Sequence, residues 1–205
     1  MSRGLGDVYK RQLLHLIDYE TGKITLDGKE YELLDHYFPT VDPKNPYALT
    51  EEEEDIMERL TCAFLNCEKL QKHMRFLLNK GSLYKVYNNN LLYHGCVPLC
   101  EDGSLKTVRI YGHEYKGKSL YEVLESYVRK GFYAIDAGER QRGRDMMWYI
   151  WLSENSPLFG KDKMATFERY FLADKETHKE QKNPYYHLLE NEEVIDGIPV
   201  SYTHL

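Results

Sequence analysis

Long apolar runs are missing from this chain of 205 residues. A helix that crosses a bilayer needs about 20 consecutive apolar residues, and no stretch comes near that; the start also lacks the apolar core of a secretory signal, so the expected setting is the cytoplasm. Cysteine is scarce, at four copies. Cys62 and Cys67, then Cys96 and Cys100, come close to zinc-site spacings but lack the paired two-residue step such sites use, and read as reduced thiols of a core or loop. Positive charge is in deficit, with 27 Lys and Arg against 33 Asp and Glu for a net of −6. That balance argues against a nucleic-acid surface. A nucleophile elbow, a phosphate-binding glycine loop and a dinucleotide fingerprint are all absent from the sequence.

Both ends read as text foreign to the protein. Residues 1 to 12 and 199 to 205 look like translated sequencing-adapter sequence and are set aside, which leaves residues 13 to 198 as one partial domain. Setting aside the first tail removes Arg3, Lys10 and Arg11 against Asp7 and deepens the net charge to −8.

Within 13 to 198 the pattern alternates between strand and helix. Residues 23 to 33 alternate on both sides of Asp27-Gly28, which predicts a hairpin. Phe38-Pro39, Asp42-Pro43 and Asn45-Pro46 then make an extended connector, and Thr50 with Glu53 in capping-box position starts a helix. From 51 to 79, Ile56, Leu60, Phe64, Cys67, Leu70, Met74 and Leu77 keep helical spacing to Gly81, with a break near Asn66; a packed helical hairpin or a kinked helix is expected. Residues 82 to 87 and 91 to 94 form strands around Asn88-Asn89-Asn90, where asparagine tolerates positive φ. Residues 108 to 111 offer another strand, and Leu120, Val123, Leu124, Tyr127 and Val128 mark an amphipathic helix. The fold class is α/β, in its mixed α+β form. Most of the 18 tyrosines suit boundary positions with a hydroxyl to satisfy rather than base stacking.

Two segments carry chemistry. In Asn90-Leu91-Leu92-Tyr93-His94-Gly95-Cys96, a histidine and a glycine stand where an apolar strand meets a loop. The sheet would hold the imidazole, and the glycine would let a ligand come close; a satisfied structural histidine is the plain alternative. Residues 148 to 164 begin apolar and aromatic, then turn through Ser156-Pro157 and Gly160, with Lys161, Lys163 and Arg169 following. Exposed turn amides beside cations suit a phosphate, and solvated charges paired with Asp162 and Glu168 are the alternative. Residues 171 to 186 mix charges as a solvated face does, with His178 a weak candidate.

Several stretches together are similar to one family. Phe38-Pro39-Thr40-Val41-Asp42-Pro43, Asn90-Leu91-Leu92-Tyr93-His94-Gly95-Cys96, Ser156-Pro157-Leu158-Phe159-Gly160-Lys161-Asp162-Lys163-Met164 and Lys182-Asn183-Pro184-Tyr185-Tyr186 resemble the class III fructose-1,6-bisphosphatases of Firmicutes. The resemblance implies the calcineurin-like metallophosphoesterase fold, two packed β-sheets flanked by helices. It also implies a dinuclear manganese centre and a sugar bisphosphate substrate, hydrolysed in gluconeogenesis. His94 matches the metal-binding histidine of the family's histidine-glycine block. Lys161, Lys163 and Arg169 become candidate phosphate ligands.

The family's other metal blocks, rich in aspartate and histidine, are missing from this sequence. A single histidine cannot hold two divalent cations, so the segment as written is expected to be an inactive internal fragment. Two alternatives stay open. One is a metallophosphoesterase of a phosphoprotein or nucleotide, and the other a noncatalytic module that binds anions through residues 161 to 169.

Overall fold

The computed structural model describes residues 13–203. In chain order the strands are β1 Ile17–Asp18, β2 Lys23–Leu26, β3 Lys29–Glu32, β4 Tyr84–Tyr87, β5 Asn90–Tyr93, β6 Val108–Ile110 and β7 His113–Tyr115. The helices are α1 Glu51–Asn66, α2 Glu68–Lys80, α3 Gly117–Tyr133, α4 Ala137–Leu152, α5 Thr166–Phe171, α6 Tyr185–Leu188 and α7 Glu192–Thr203. Every sheet among the described residues is antiparallel: β1-β2-β3, β4-β5 and β6-β7. This is a mixed α/β chain whose sheets are small and separate. Residues 1 to 12, expected to be foreign, lie outside the described residues.

The chain divides into two compact units, each made of two segments. The first holds residues 13–81 and 165–179. Its sheet turns at Asp27 (φ 49°) and Gly28 (φ 77°), the pair the sequence marks for positive φ. Register places Ile24 opposite Tyr31 and Lys23 opposite Glu32, so Ile24 and Ile17 share the inner face with Leu33. Leu172 returns to this sheet through a bridge to Leu33 and completes the core, against which Phe38 and Phe171 pack. The predicted capping box is present: Glu53 N donates to Thr50 Oγ1 (3.3 Å) and Thr50 N donates to Glu53 Oε2 (2.8 Å). The bond from Thr50 N, with one from the Thr40 side chain, holds the Glu53 carboxylate below its usual range. The expected break falls at Cys67, whose ψ of 98° ends α1 and starts α2. No packed hairpin results, because α1 buries none of its residues and α2 only Leu78.

The second unit holds residues 82–164 and 180–203 among those described. Here β4 and β5 turn at Asn88 (φ 49°) and Asn89 (φ 60°), as the asparagine run predicts. The strand expected at 108–111 ends at Ile110 and pairs with β7 through a turn at Tyr111 and Gly112. Helices α3 and α4 cross at two glycines, Gly131 and Gly143, where a Cβ on either would strike the other helix's backbone. That closeness lets Leu120, Leu124, Met146 and Ile150 bury together over Val108 and Ile110. A second cluster gathers Cys96, Val97, Leu99, Tyr121, Tyr185 and Ile198. Tyr202 joins it edge-on to Tyr84 (5.1 Å) and Tyr121 (5.8 Å), so residues 199–203, read as foreign from sequence, continue α7 here.

Candidate active-site segment around His94

Strand β5 ends at Tyr93, and His94 follows in an exposed bend. The residues on either side fix it. Tyr93 and Tyr185 share a hydroxyl hydrogen bond of 2.7 Å, and Cys96 N donates to Pro157 O at 2.8 Å. Between them Gly95 takes φ 90°, and a Cβ there would strike Pro157 O and lie 3.1 Å from Leu158 Cα. Glycine at 95 is therefore what brings the histidine bend onto the turn at 156–160. The two segments singled out from sequence are neighbours within one unit.

The turn itself differs from expectation. Ser156 is fully buried; its Oγ donates to Ile150 O (2.5 Å) and accepts from Leu158 N (3.2 Å) and Phe159 N (3.4 Å), while Gly160 N donates to Ser156 O (3.0 Å). These amides close the turn internally instead of facing an anion. Gly160 (φ 62°) brings the backbone against Cys96 Sγ and the Tyr186 ring.

Beyond the turn, residues 160–162 are stitched to 181–183. Asn183 N donates to Gly160 O (2.9 Å), Asp162 N to Gln181 O (2.9 Å) and Gln181 N to Asp162 Oδ1 (2.8 Å). Lys161 Nζ donates to Glu180 Oε2 at 2.6 Å, with both side chains mostly covered, and lies over the Phe159 ring. The buried Asn183 side chain accepts from Leu99 N (3.1 Å) and Tyr185 N (3.0 Å), tying these bridged segments to the loop after His94. Lys163 is half-buried in the same unit, whereas Arg169 is exposed on α5 of the other unit. Thus His94, Lys161 and Lys163 share one unit, and Arg169 belongs to another. His178 turns its Nε2 to Leu172 O (2.9 Å) and serves the first unit's core.

Burial sets the electrostatics beneath the bend. Desolvation pushes the Cys96 thiol up to about 11 and carries the Tyr93 and Tyr121 hydroxyls above their ordinary range. These groups stay protonated at neutral pH and act as hydrogen-bonding core, with Tyr121 Oη donating to Cys96 O (2.7 Å). Sequence reasoning missed this support. The only available signal was the clustering of tyrosines at 84, 93, 121, 185, 186 and 202, which has no fixed spacing.

An open groove of about 550 Å³ lies elsewhere in this unit, between β4 and α3. Its carboxylates are engaged internally: Tyr84 Oη donates to Glu122 (3.1 Å), and Ser82 Oγ and Arg129 each approach Glu125 at 2.6 Å. Burial raises the Glu125 carboxyl, yet the bonds from Arg129, Ser82 and Leu83 N outweigh it and leave the group below its usual range. Among the described residues no group of three or more His, Cys, Asp or Glu side chains is placed to hold a metal ion. His94 offers one donor nitrogen, so these residues alone do not fit a two-metal centre. No helix among them is long and apolar enough to cross a membrane.

Known proteins place the chain. The Firmicute fructose-1,6-bisphosphatase family matches residues 6–203. The class 3 fructose-1,6-bisphosphatase of Clostridioides difficile is 56% identical over 183 residues, covering 89% of this chain and 28% of the relative. That of Clostridium novyi is 54% identical over 187 residues, covering 91% and 28%. The Listeria innocua protein of the same name is 51% identical over 194 residues, covering 92% and 29%. This chain therefore spans under a third of the length of the curated relatives it matches. No solved structure matches it. With 198 of its residues inside the family match and half of the aligned positions identical to these relatives, the chain belongs to the Firmicute fructose-1,6-bisphosphatase family.

Proposed function

We propose that this chain is a structural and ligand-bearing segment of a cytoplasmic enzyme that hydrolyses fructose 1,6-bisphosphate to fructose 6-phosphate and phosphate, as gluconeogenesis requires. The observation that carries the reading is the 56% identity to a class 3 fructose-1,6-bisphosphatase, sustained over 183 residues rather than confined to one motif. Support from geometry is the meeting of the His94 bend with the 156–160 turn, since both belong to stretches that resemble the family and Gly95 is shaped for their contact.

In this proposal His94 contributes an imidazole nitrogen to a dinuclear manganese centre. The other donors, and the strands that complete a calcineurin-like sandwich, come from the larger share of the relatives' length that this chain does not match. When bound, such metals activate water and neutralise charge on the departing oxygen. The residues present hold and orient. Tyr93 and Cys96 fix the bend on both sides of His94, and the buried Ser156 fixes the turn beneath it. Lys161, Lys163 and Arg169 are candidate contacts for the substrate's phosphates; Lys161 would exchange Glu180 for phosphate.

The test is a graft. Residues 13–198 replace the matched segment of the Clostridioides difficile relative, and the purified chimera is assayed against fructose 1,6-bisphosphate, nucleotides and a phosphopeptide. We expect hydrolysis of the sugar bisphosphate, a loss on the order of 100-fold in kcat and lowered manganese content for His94→Ala, and a raised KM with near-normal kcat for Lys163→Ala. A folded chimera that prefers nucleotides or phosphopeptide, or a His94→Ala variant with full activity and metal, would sink the reading.

A further inference from the structure

Helices α1 and α2 carry a series of apolar side chains that the first unit leaves uncovered. Ile56, Leu60 and Ala63 in α1, and Leu70, Met74 and Leu77 in α2, each follow in steps of four and three, the spacing that lines one face of their own helix, with Cys67 at the break between the two rows. Ile56, Leu60 and Leu77 are 47%, 49% and 58% exposed, Met74 in the same rows is exposed too, and Met57 and Phe64 flank them, also exposed. At roughly 100 Å² each these six present about 600 Å², the upper end for the largest patch on an ordinary monomer. Two such faces together give about 1,200 Å², the lower edge of a stable specific interface before any polar rim is added.

Charge states which partner fits. The first turn of α1 holds Glu51, Glu52, Glu53 and Glu54, followed by Asp55 and Glu58, with Arg59 its one cation. Helix α2 answers with Lys69, Lys72, Arg75 and Lys80 against Glu68. Parallel pairing of two copies would set acid on acid. Antiparallel pairing sets each acidic α1 on the other copy's basic α2, and the seam then matches layer by layer about Cys67. Ile56 meets the partner's Leu77, Leu60 the partner's Met74, Ala63 the partner's Leu70, and Cys67 the partner's Cys67. At the rim Glu58 falls opposite the partner's Arg75, and Glu53 and Glu54 opposite the partner's Lys80. A two-fold axis through the break at Cys67 exchanges the two arms whatever their bend, which is the self-complementarity of an isologous interface.

We propose that the α1 and α2 faces form an antiparallel, two-fold interface with a second copy of this chain. Sedimentation velocity on the full chain, with thiol cross-linking by a short bismaleimide and peptide mapping, tests it. The expected result is a dimer whose cross-link joins Cys67 to Cys67. Leu60→Lys should raise its Kd at least tenfold with unchanged far-UV circular dichroism, since the side chain lies on the exposed face. Glu58→Arg should weaken it several-fold in low salt, and adding Arg75→Glu should restore it. A monomer at about 100 μM would overturn the proposal and leave the face to other parts of a longer polypeptide or to an unrelated protein. So would a dimer indifferent to Leu60→Lys, or a double charge reversal no tighter than the single variant.

Discussion

Replacing Gly95 with alanine tests how the His94 bend is held, because a matched control exists in the same unit. Gly95 and Gly112 both sit at φ 90°, but an added Cβ strikes the backbone of residues 157 and 158 at the first and meets nothing at the second. Backbone strain, about 1–2 kcal/mol, is common to both variants. At position 95 the turn must also recede. That sacrifices the hydrogen bond from Cys96 N to Pro157 O, about 1 kcal/mol, and loosens the contact of Gly160 with Cys96 and Tyr186, about 1–2 kcal/mol more. Gly95→Ala should therefore cost about 3–5 kcal/mol against about 1–2 for Gly112→Ala, a gap of roughly 10 °C in Tm for a unit near 100 residues. Urea unfolding read by tryptophan fluorescence, with circular dichroism alongside, suits the comparison, since Trp148 and Trp151 both lie in α4 of this unit. Equal losses from the two substitutions would refute the idea that close approach, rather than φ alone, demands glycine at 95.

Lys161→Met should lower stability by about 1–3 kcal/mol by taking the cation from the covered Glu180 carboxylate, and Lys161→Met with Glu180→Gln should recover most of it in thermal denaturation. Gly143→Ala should force α3 and α4 apart and cost several kcal/mol, whereas Gly197→Ala, with open space around its Cα, should not; calorimetry separates them. Maleimide labelling at neutral pH, read by mass spectrometry, should modify the exposed Cys62 and Cys67 and spare Cys96 until the second unit unfolds. Because the folded thiol of Cys96 titrates near 11 and the unfolded one near 9, the unfolded chain loses its proton first. Stability of that unit should thus be intact below pH 9 and fall between 9 and 11, and a Cys96→Ala background should show a shallower decline.

Features governed by neighbours in sequence were legible before any coordinates. Asp27-Gly28, Asn88-Asn89 and the Thr50–Glu53 box each satisfy their own backbone locally, and each stands where the pattern puts it. The break between α1 and α2 was legible for the same reason. Helix α4 is not legible as a helix, its end showing only as an apolar and aromatic run, because the residues from Gly138 to Asp145 are polar or glycine and pack through backbone at Gly143. Apolar periodicity cannot register a contact made by an absent side chain. The turn at 156–160 was placed correctly, but the direction of its amides depended on the Ser156 hydroxyl reaching Ile150 O, which no composition rule foresees. Of the candidate site, sequence supplied His94, Lys161 and Lys163; that their segments touch follows from Gly95, and the pairing of Lys161 with Glu180 crosses 19 positions.

The return of Leu172 to the sheet of β1, β2 and β3 has a consequence during synthesis. Its partner Leu33 leaves the ribosome well before it, and Leu34 N waits for Phe171 O as well. At about 5–20 residues per second the intervening segment takes on the order of 10–30 s to be made. Throughout that interval Ile17, Ile24 and Leu33 form a hairpin face without its lid, while the α3–α4 pair can already close behind it. The second unit's helical core can thus close before the first unit's sheet has its last partner, and that sheet face is the surface open to a chaperone meanwhile.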